Sequence, residues 1–340
     1  MSLPQFRKLG QTGKGAAMKI AIIGSGAAGS VFASYLKKGG ADVYLVDLNQ
    51  EHLNAIKENG LHFVEDFFGD IREDILTGFH TATSAAEIGE MDAVILMVKT
   101  TANDAVLKDA QPCIGPETVV ISLQNGLGNE LKIREYVPED RILYGNGDIG
   151  TELLGPGVCR SHPLNRNEIM FFGPVHMNPL TERVGNEIRE IFVKGGCKCL
   201  FTEKISSVVW KKAMRNIGHN CLYGLIRISG YYQVKDEYAL QLIKSIWREG
   251  CEVAAAKGVD SEALWDFLMK TLEYDYTSSK DVICSTGMDM LVYHKKTEID
   301  NLNGAIVQYG KELGIPTPVN EVITLMVKAV ENNYEHQFKV

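Results

Sequence analysis

No apolar run in this chain reaches the roughly 18 residues that a bilayer-spanning helix requires, so that class of membrane protein is excluded. Positive charge is in deficit: 35 lysines and arginines against 43 aspartates and glutamates give a formal net charge of −8. Such a balance argues against nucleic acid or an anionic membrane as general partner, though a local basic cleft would survive it. The seven cysteines are scattered and odd in number, and Cys197 and Cys199 form a C-x-C with no second pair. Neither a disulfide framework nor a metal site follows, and a reduced, cytoplasmic protein is expected. Repeats and low-complexity segments are also lacking. The opening "MSLPQFRKLGQTGKGAA" has no long apolar core, so it does not read as a secretory signal. It is expected to be an extension or remnant, residues 1–17, outside the fold.

What is present is an ordinary globular composition, 45% apolar and 23% charged, over 340 residues, enough for two domains. From Lys19, short β-branched runs alternate with amphipathic stretches. "KIAIIG", "DVYLVD", "AVILMV", "TVVISL" and "ILYGN" read as buried strands, with helices over Ala27 to Lys38 and "QEHLNAIKENG". Continuous apolar strands of this kind need a sheet covered on both faces, hence a doubly wound parallel sheet. Punctuation by Pro156, Gly157, Pro163, Gly173 and Pro174 suggests short antiparallel strands finishing that domain, 18–200. Residues 201–340 then show helical patterns at Ser206 to Leu225, Asp236 to Lys257, Ile299 to Leu313 and Asn320 to Asn332, an all-α C-terminal domain.

"GSGAAG" sits between the first strand and its helix. Gly24 permits the tight turn, Gly26 lets the backbone approach a pyrophosphate, and Gly29 lets helix and strand pack closely. The turn residues Gly24, Ser25, Gly26, Ala27, Ala28 and Gly29 are thus the expected dinucleotide cradle of a Rossmann-like domain. Asp47 ends the second strand, where its carboxylate can accept from the adenosine ribose hydroxyls and would repel a 2′-phosphate, which favours NAD over NADP. The alternative is that Asp47 only caps the following helix.

In "WKKAMRNIGHNCLYG", Lys212, Asn216 and Asn220 recur every fourth position, drifting only about 40° per step, so they form one ridge. Trp210, Met214, Ile217 and Leu222 face elsewhere. An ammonium and two amides suit an α-keto acid: amides hold carboxylate or hydroxyls, and lysine protonates the ketone oxygen as hydride reaches its carbon. A merely polar helix face is the alternative. His219, inside the same segment, reads as a buried structural histidine.

With "GSGAAG", "AIKENGL", "DAVILMVKT", "SLQNGLGN", "WKKAMRNIGHN", "TEIDNLNGAIV" and "GIPTPVN" in this order, the chain from Met18 onward resembles the ketopantoate reductase family. The resemblance implies that Lys212 is the proton donor to the C2 carbonyl oxygen and that Asn216 and Asn220 bind substrate. It implies that Glu298 lies near the nicotinamide ribose and orients the lysine, and that Asn125 and Lys99 lie beside the cofactor. Thr286, with Ser285 beside it, stands where the family's substrate serine is expected. Departures are Asp47, where many members carry arginine and use NADP, and "CLYGLIRISGYY", with Ser229-Gly230 in place of an Asn-Gly. Residues 277 to 288 align poorly.

The expected activity is reduction of ketopantoate with NADPH or NADH. Rival readings are an NAD-dependent D-2-hydroxy-acid dehydrogenase of branched or aromatic 2-keto acids, and a dinucleotide-binding sensor without turnover. The expected partner is a small 2-keto acid, with a homodimer as the candidate assembly.

Overall fold

The computed structural model describes residues 16–163, 169–273, 280 and 282–337. The opening extension up to residue 15, and positions 277–279 and 281 of the poorly aligned stretch, lie outside them. Strand β1 (Lys19–Ile23) runs into α1 (Ala27–Gly39), β2 (Asp42–Val46) and α2 (Gln50–Asn59), as the alternation predicts. A hairpin of β3 (Leu61–Phe67) and β4 (Asp70–Leu76) leaves the sheet, and β5 (His80–Ala82) rejoins its edge. Then follow β6 (Ala93–Leu96), α3 (Asn103–Asp109), β7 (Val119–Ser122), α4 (Asn129–Ile133) and β8 (Ile142–Gly147). After β9 (Ile149–Gly155), β10 (Val158–Pro163) and β11 (Met170–Pro174) come α5 (Pro179–Lys194) and β12 (Cys199–Phe201).

The main sheet has eight strands in the order β12-β11-β8-β7-β6-β1-β2-β5. Six are parallel, and only the β8–β11 junction is antiparallel. The order reverses at β1, so the glycine turn opens at the switch point where such sheets bind ligands. A second sheet has the order β4-β3-β10-β9; its antiparallel β9–β10 pair agrees with the proline and glycine punctuation there, while β3 and β4 were not anticipated. Its outer strand β4 is almost wholly exposed and charged, so it has no apolar alternation to betray it. Helix α5 was passed over although its start signal is local: the Asn178 side chain accepts from the Leu180 and Thr181 backbones, and Pro179 opens the helix.

The helical domain comprises α6 (Ile205–Ile226), α7 (Gly230–Gln233), α8 (Glu237–Ala256), α9 (Ser261–Thr271), α10 (Ser285–Met288), a π-helical turn at Asp289–Tyr293, α11 (Asn303–Leu313) and α12 (Pro318–Glu331). α6 is its axis. One face buries Trp210, Met214, Ile217 and Leu222 among Ile243, Ile246 and Trp247 of α8, while its flank packs on β8 and β11. Gly218 admits Trp247, whose Nε1 donates to the Met214 carbonyl at 2.7 Å; a Cβ there would stand 2.2 Å from that nitrogen. Tight packing on one side leaves the opposite ridge of α6 free for polar groups.

Candidate active site

The glycine turn has the geometry its spacing promised. Gly24 has φ +96°, and a Cβ on it would stand 2.7 Å from the Val98 nitrogen. A Cβ on Gly29 would stand 1.9 Å from the Gly24 carbonyl oxygen, so neither position accepts a side chain. Gly26 differs: it is exposed, and a Cβ there meets nothing within 4 Å. The open side of the turn therefore lies at the start of α1, where a pyrophosphate fits. Asp47 accepts from the Ser25 N–H at 2.7 Å and the Asn49 N–H at 2.9 Å, which leaves lone pairs on both oxygens for ribose hydroxyls. It does not cap α2; the Asn49 side chain does, accepting from the His52 N–H at 3.1 Å. These residues fit a dinucleotide.

Two loops at the carboxyl edge of the sheet carry Lys99 and Asn125. Gln124 holds them together, donating to the Val98 carbonyl and to Asn103, both at 2.7 Å. Gly126 (φ +93°) then turns the chain so closely over Asn301 that a Cβ would stand 2.4 Å from its carbonyl oxygen. Leu127 N–H donates to that same oxygen at 2.8 Å, and Asn301 Nδ2 returns a bond to the Leu127 carbonyl at 3.0 Å. The loop bearing Asn125 is thus clamped to the loop bearing Glu298.

Glu298 is held by the Thr100 N–H at 3.4 Å and lies 3.9 Å from Lys99 Nζ. Burial pushes its carboxyl above the ordinary range, against the Lys99 charge. Lys99 itself reaches across to Asp289, in the π-helical turn, at 2.7 Å. Burial alone would lower its pKa, but Glu298 and Asp289 together hold it above the usual lysine value.

Lys212, Asn216 and Asn220 form one half-buried ridge on α6. The side-chain amides of Asn216 and Asn220 have no hydrogen-bond partner among the described residues. Lys212 Nζ donates to the Gly147 carbonyl at the carboxyl end of β8. Burial brings its pKa down to about 8, Arg215 adds to the fall, and Asp148 and Glu298 oppose it. Glu298 therefore acts on Lys212 through its field; its close contact is Lys99. Thr286 is buried where α10 packs on α6, whereas its neighbour Ser285 is exposed. His219 is buried, bonded through Nδ1 to Gln233 at 3.0 Å and set edge-on to Trp247. Burial above all pushes its pKa down to about 4, so it is neutral and structural near pH 7.

Asp148, Arg215, Asp289 and Asn301 were missed in the sequence. Arg215 carried a signal, since it lies three residues past Lys212 and about 60° from it around the helix. Asp289 carried none, being 190 positions from its partner Lys99. Among the described residues no group of His, Cys, Asp and Glu is placed to hold a metal ion, and no helix is long and apolar enough to cross a membrane.

The architecture has counterparts among known proteins. The model of the family described as "Ketopantoate reductase PanE/ApbA" matches residues 20–174, and that of its C-terminal domain matches residues 204–331. A 2-dehydropantoate 2-reductase of Streptococcus pyogenes serotype M18 is 33% identical over 316 residues, covering 92% of this chain and 98% of the relative. One from Pyrococcus horikoshii is 30% identical, covering 93% and 98%. Among solved structures, a D-mandelate dehydrogenase with NADH and anilino(oxo)acetate superposes with TM-score 0.80 at 27% identity, over 94% of this chain and 100% of that one. A ketopantoate reductase from Ralstonia eutropha JMP134 gives 0.79 at 25% identity, over 94% and 100%. With both of its domains matched in order by the family's models, the chain belongs to the ketopantoate reductase family.

Proposed function

We propose that the protein reduces 2-dehydropantoate to D-pantoate, with Lys212 as the proton donor. The observation that carries this reading is the α6 ridge. A depressed lysine, within the field of Glu298, and two amides without a hydrogen-bond partner among the described residues lie in line along the helix. A nicotinamide dinucleotide, when bound at the glycine turn, supplies the hydride that adds to the substrate's C2. Lys212 gives its proton to the C2 oxygen, so no uncompensated alkoxide develops. Asn216 and Asn220 donate to the substrate's carboxylate and hydroxyl oxygens, with Thr286 at the far end of the ridge. Asn125 and Lys99 line the cofactor side. Asp47 supports NADH over NADPH, because its carboxylate would face the 2′-phosphate.

Oxidation of NADH and of NADPH with 2-dehydropantoate is the deciding assay. Lys212→Ala is expected to lower kcat by about 100-fold or more while the cofactor Kd stays near wild type. Near-normal turnover in that variant would remove Lys212 from the reaction.

The likeness to D-mandelate dehydrogenase, with the carboxylate at Asp47, supports a second reading: NADH-dependent reduction of aromatic or branched 2-keto acids. A higher kcat/KM with phenylglyoxylate than with 2-dehydropantoate would select it.

A further inference from the structure

Chain direction changes sharply where the main sheet hands over to the second one. β8 ends at Gly147 and β9 begins at Ile149, so Gly147 and Asp148 form the corner between the two sheets. Two side chains of α6 grip this corner. Lys212 donates to the Gly147 carbonyl, and Arg215 Nη2 donates to Asp148 Oδ1 at 2.8 Å. Both members of that ion pair are mostly covered, with side-chain exposures of 33% and 21%. The backbone of the corner is fixed as well. Asp148 N–H donates to the Ile169 carbonyl at 2.7 Å, and a Cβ on Gly147 would stand 2.8 Å from Phe32 Cζ. Gly147 therefore cannot retreat, and its carbonyl is a stationary acceptor for the ammonium.

The charges bearing on Lys212 come from three elements: Asp148 from the corner, Arg215 from α6 itself, and Glu298 from the loop before α11, with Lys99 and Asp289 behind Glu298. A lone carboxylate beside Lys212 would hold its proton too firmly for donation and would repel the carboxylate of an incoming keto acid. A lone guanidinium would leave the amine deprotonated and unable to donate. Bonded to each other, the two oppose one another at Lys212.

We propose that Asp148 and Arg215 are a positioning pair for Lys212, locking the corner whose carbonyl holds its ammonium and setting two opposed charges beside it. Neither residue needs to touch substrate. The inference rests on the reading of Lys212 as proton donor, so its test must not depend on turnover alone.

Competitive labelling with acetic anhydride across a pH series, read at Lys212 by peptide mass spectrometry, gives the titration midpoint of the amine without any assay. Asp148→Asn should move the midpoint down and Arg215→Gln should move it up, each by about one pH unit, the size of effect that a nearby charge has. The double variant should return near wild type. Arg215→Lys keeps the cation and should keep the midpoint, and it serves as the folded control for the arginine site. The alkaline limb of kcat/KM should follow the same order. Midpoints that move together, or do not move, in the single variants would overturn the pairing and leave Asp148 and Arg215 as packing alone. Midpoints that split as expected while Lys212→Ala still turns over would instead sink the donor role and keep the pair.

Discussion

Asp47 serves the fold first: its oxygens tie the glycine turn to the end of β2 through the Ser25 and Asn49 N–H groups and keep lone pairs to spare. In the proposed reading those lone pairs hold the ribose hydroxyls. Asp47→Ala should therefore lower the ratio of kcat/KM for NADH over NADPH by about tenfold or more, the worth of a hydrogen bond to a charged group. Steady-state kinetics with both cofactors checks this, and an unchanged ratio would leave Asp47 as a turn residue only. At this scale the sequence was legible wherever the chemistry was local. The glycines act within six residues of one another, and Asn216 and Asn220 follow Lys212 at helical spacing. Glu298 was legible by resemblance but not in its contacts, because its 3.9 Å neighbour, Lys99, lies almost two hundred positions away. Asp148 gave no signal at all, since a single aspartate between two strands has no period.

Elements matter here for what they press against. In the loop between β7 and α4, Gly126 is required twice over, by φ +93° and by its approach to Asn301. Gly126→Ala should strain the turn by about 1–3 kcal/mol and displace Asn125. A lower melting temperature together with a raised cofactor Kd is the expected result; a change in neither would mean that the clamp tolerates displacement. Strands β1, β2, β6, β7 and β8 and helices α1 and α2 were legible because each buries a continuous or periodic apolar face, whereas the short β5, α3 and α4 gave no such run. Strand β4 of the hairpin was not legible either, since its exposed Ile71 and Ile75 stand among charges and none of its residues is buried, although its partner β3 buries Leu61, Phe63 and Val64. The π-helical turn that carries Asp289 was equally hidden. Such turns arise from packing around them and have no spacing of their own.

For the whole molecule, stability and site depend on the same long-range polar contacts. α12 opens at Pro318 with no side-chain cap of its own. Glu249 of α8 substitutes, accepting from the Val319 and Asn320 backbones at 2.8 and 2.9 Å and from Asn320 Nδ2 at 2.7 Å. Asn303 then joins Asn320 to the Ile217 carbonyl of α6, the helix of the lysine ridge. Glu249→Ala should cost about 2–3 kcal/mol, the range for hydrogen bonds to a charged group, and lower the melting temperature. Glu249→Gln should recover part of the loss; equal melting of all three proteins would show that α12 is held by its apolar face alone. The "TEIDNLNGAIV" and "GIPTPVN" motifs thus owe two of their asparagines to architecture. Asn301, 174 positions beyond Leu127, has a different consequence. The loop that carries Asn125 is closed by a residue from the other end of the chain, so a polypeptide cut between the two domains would leave that loop without its lock.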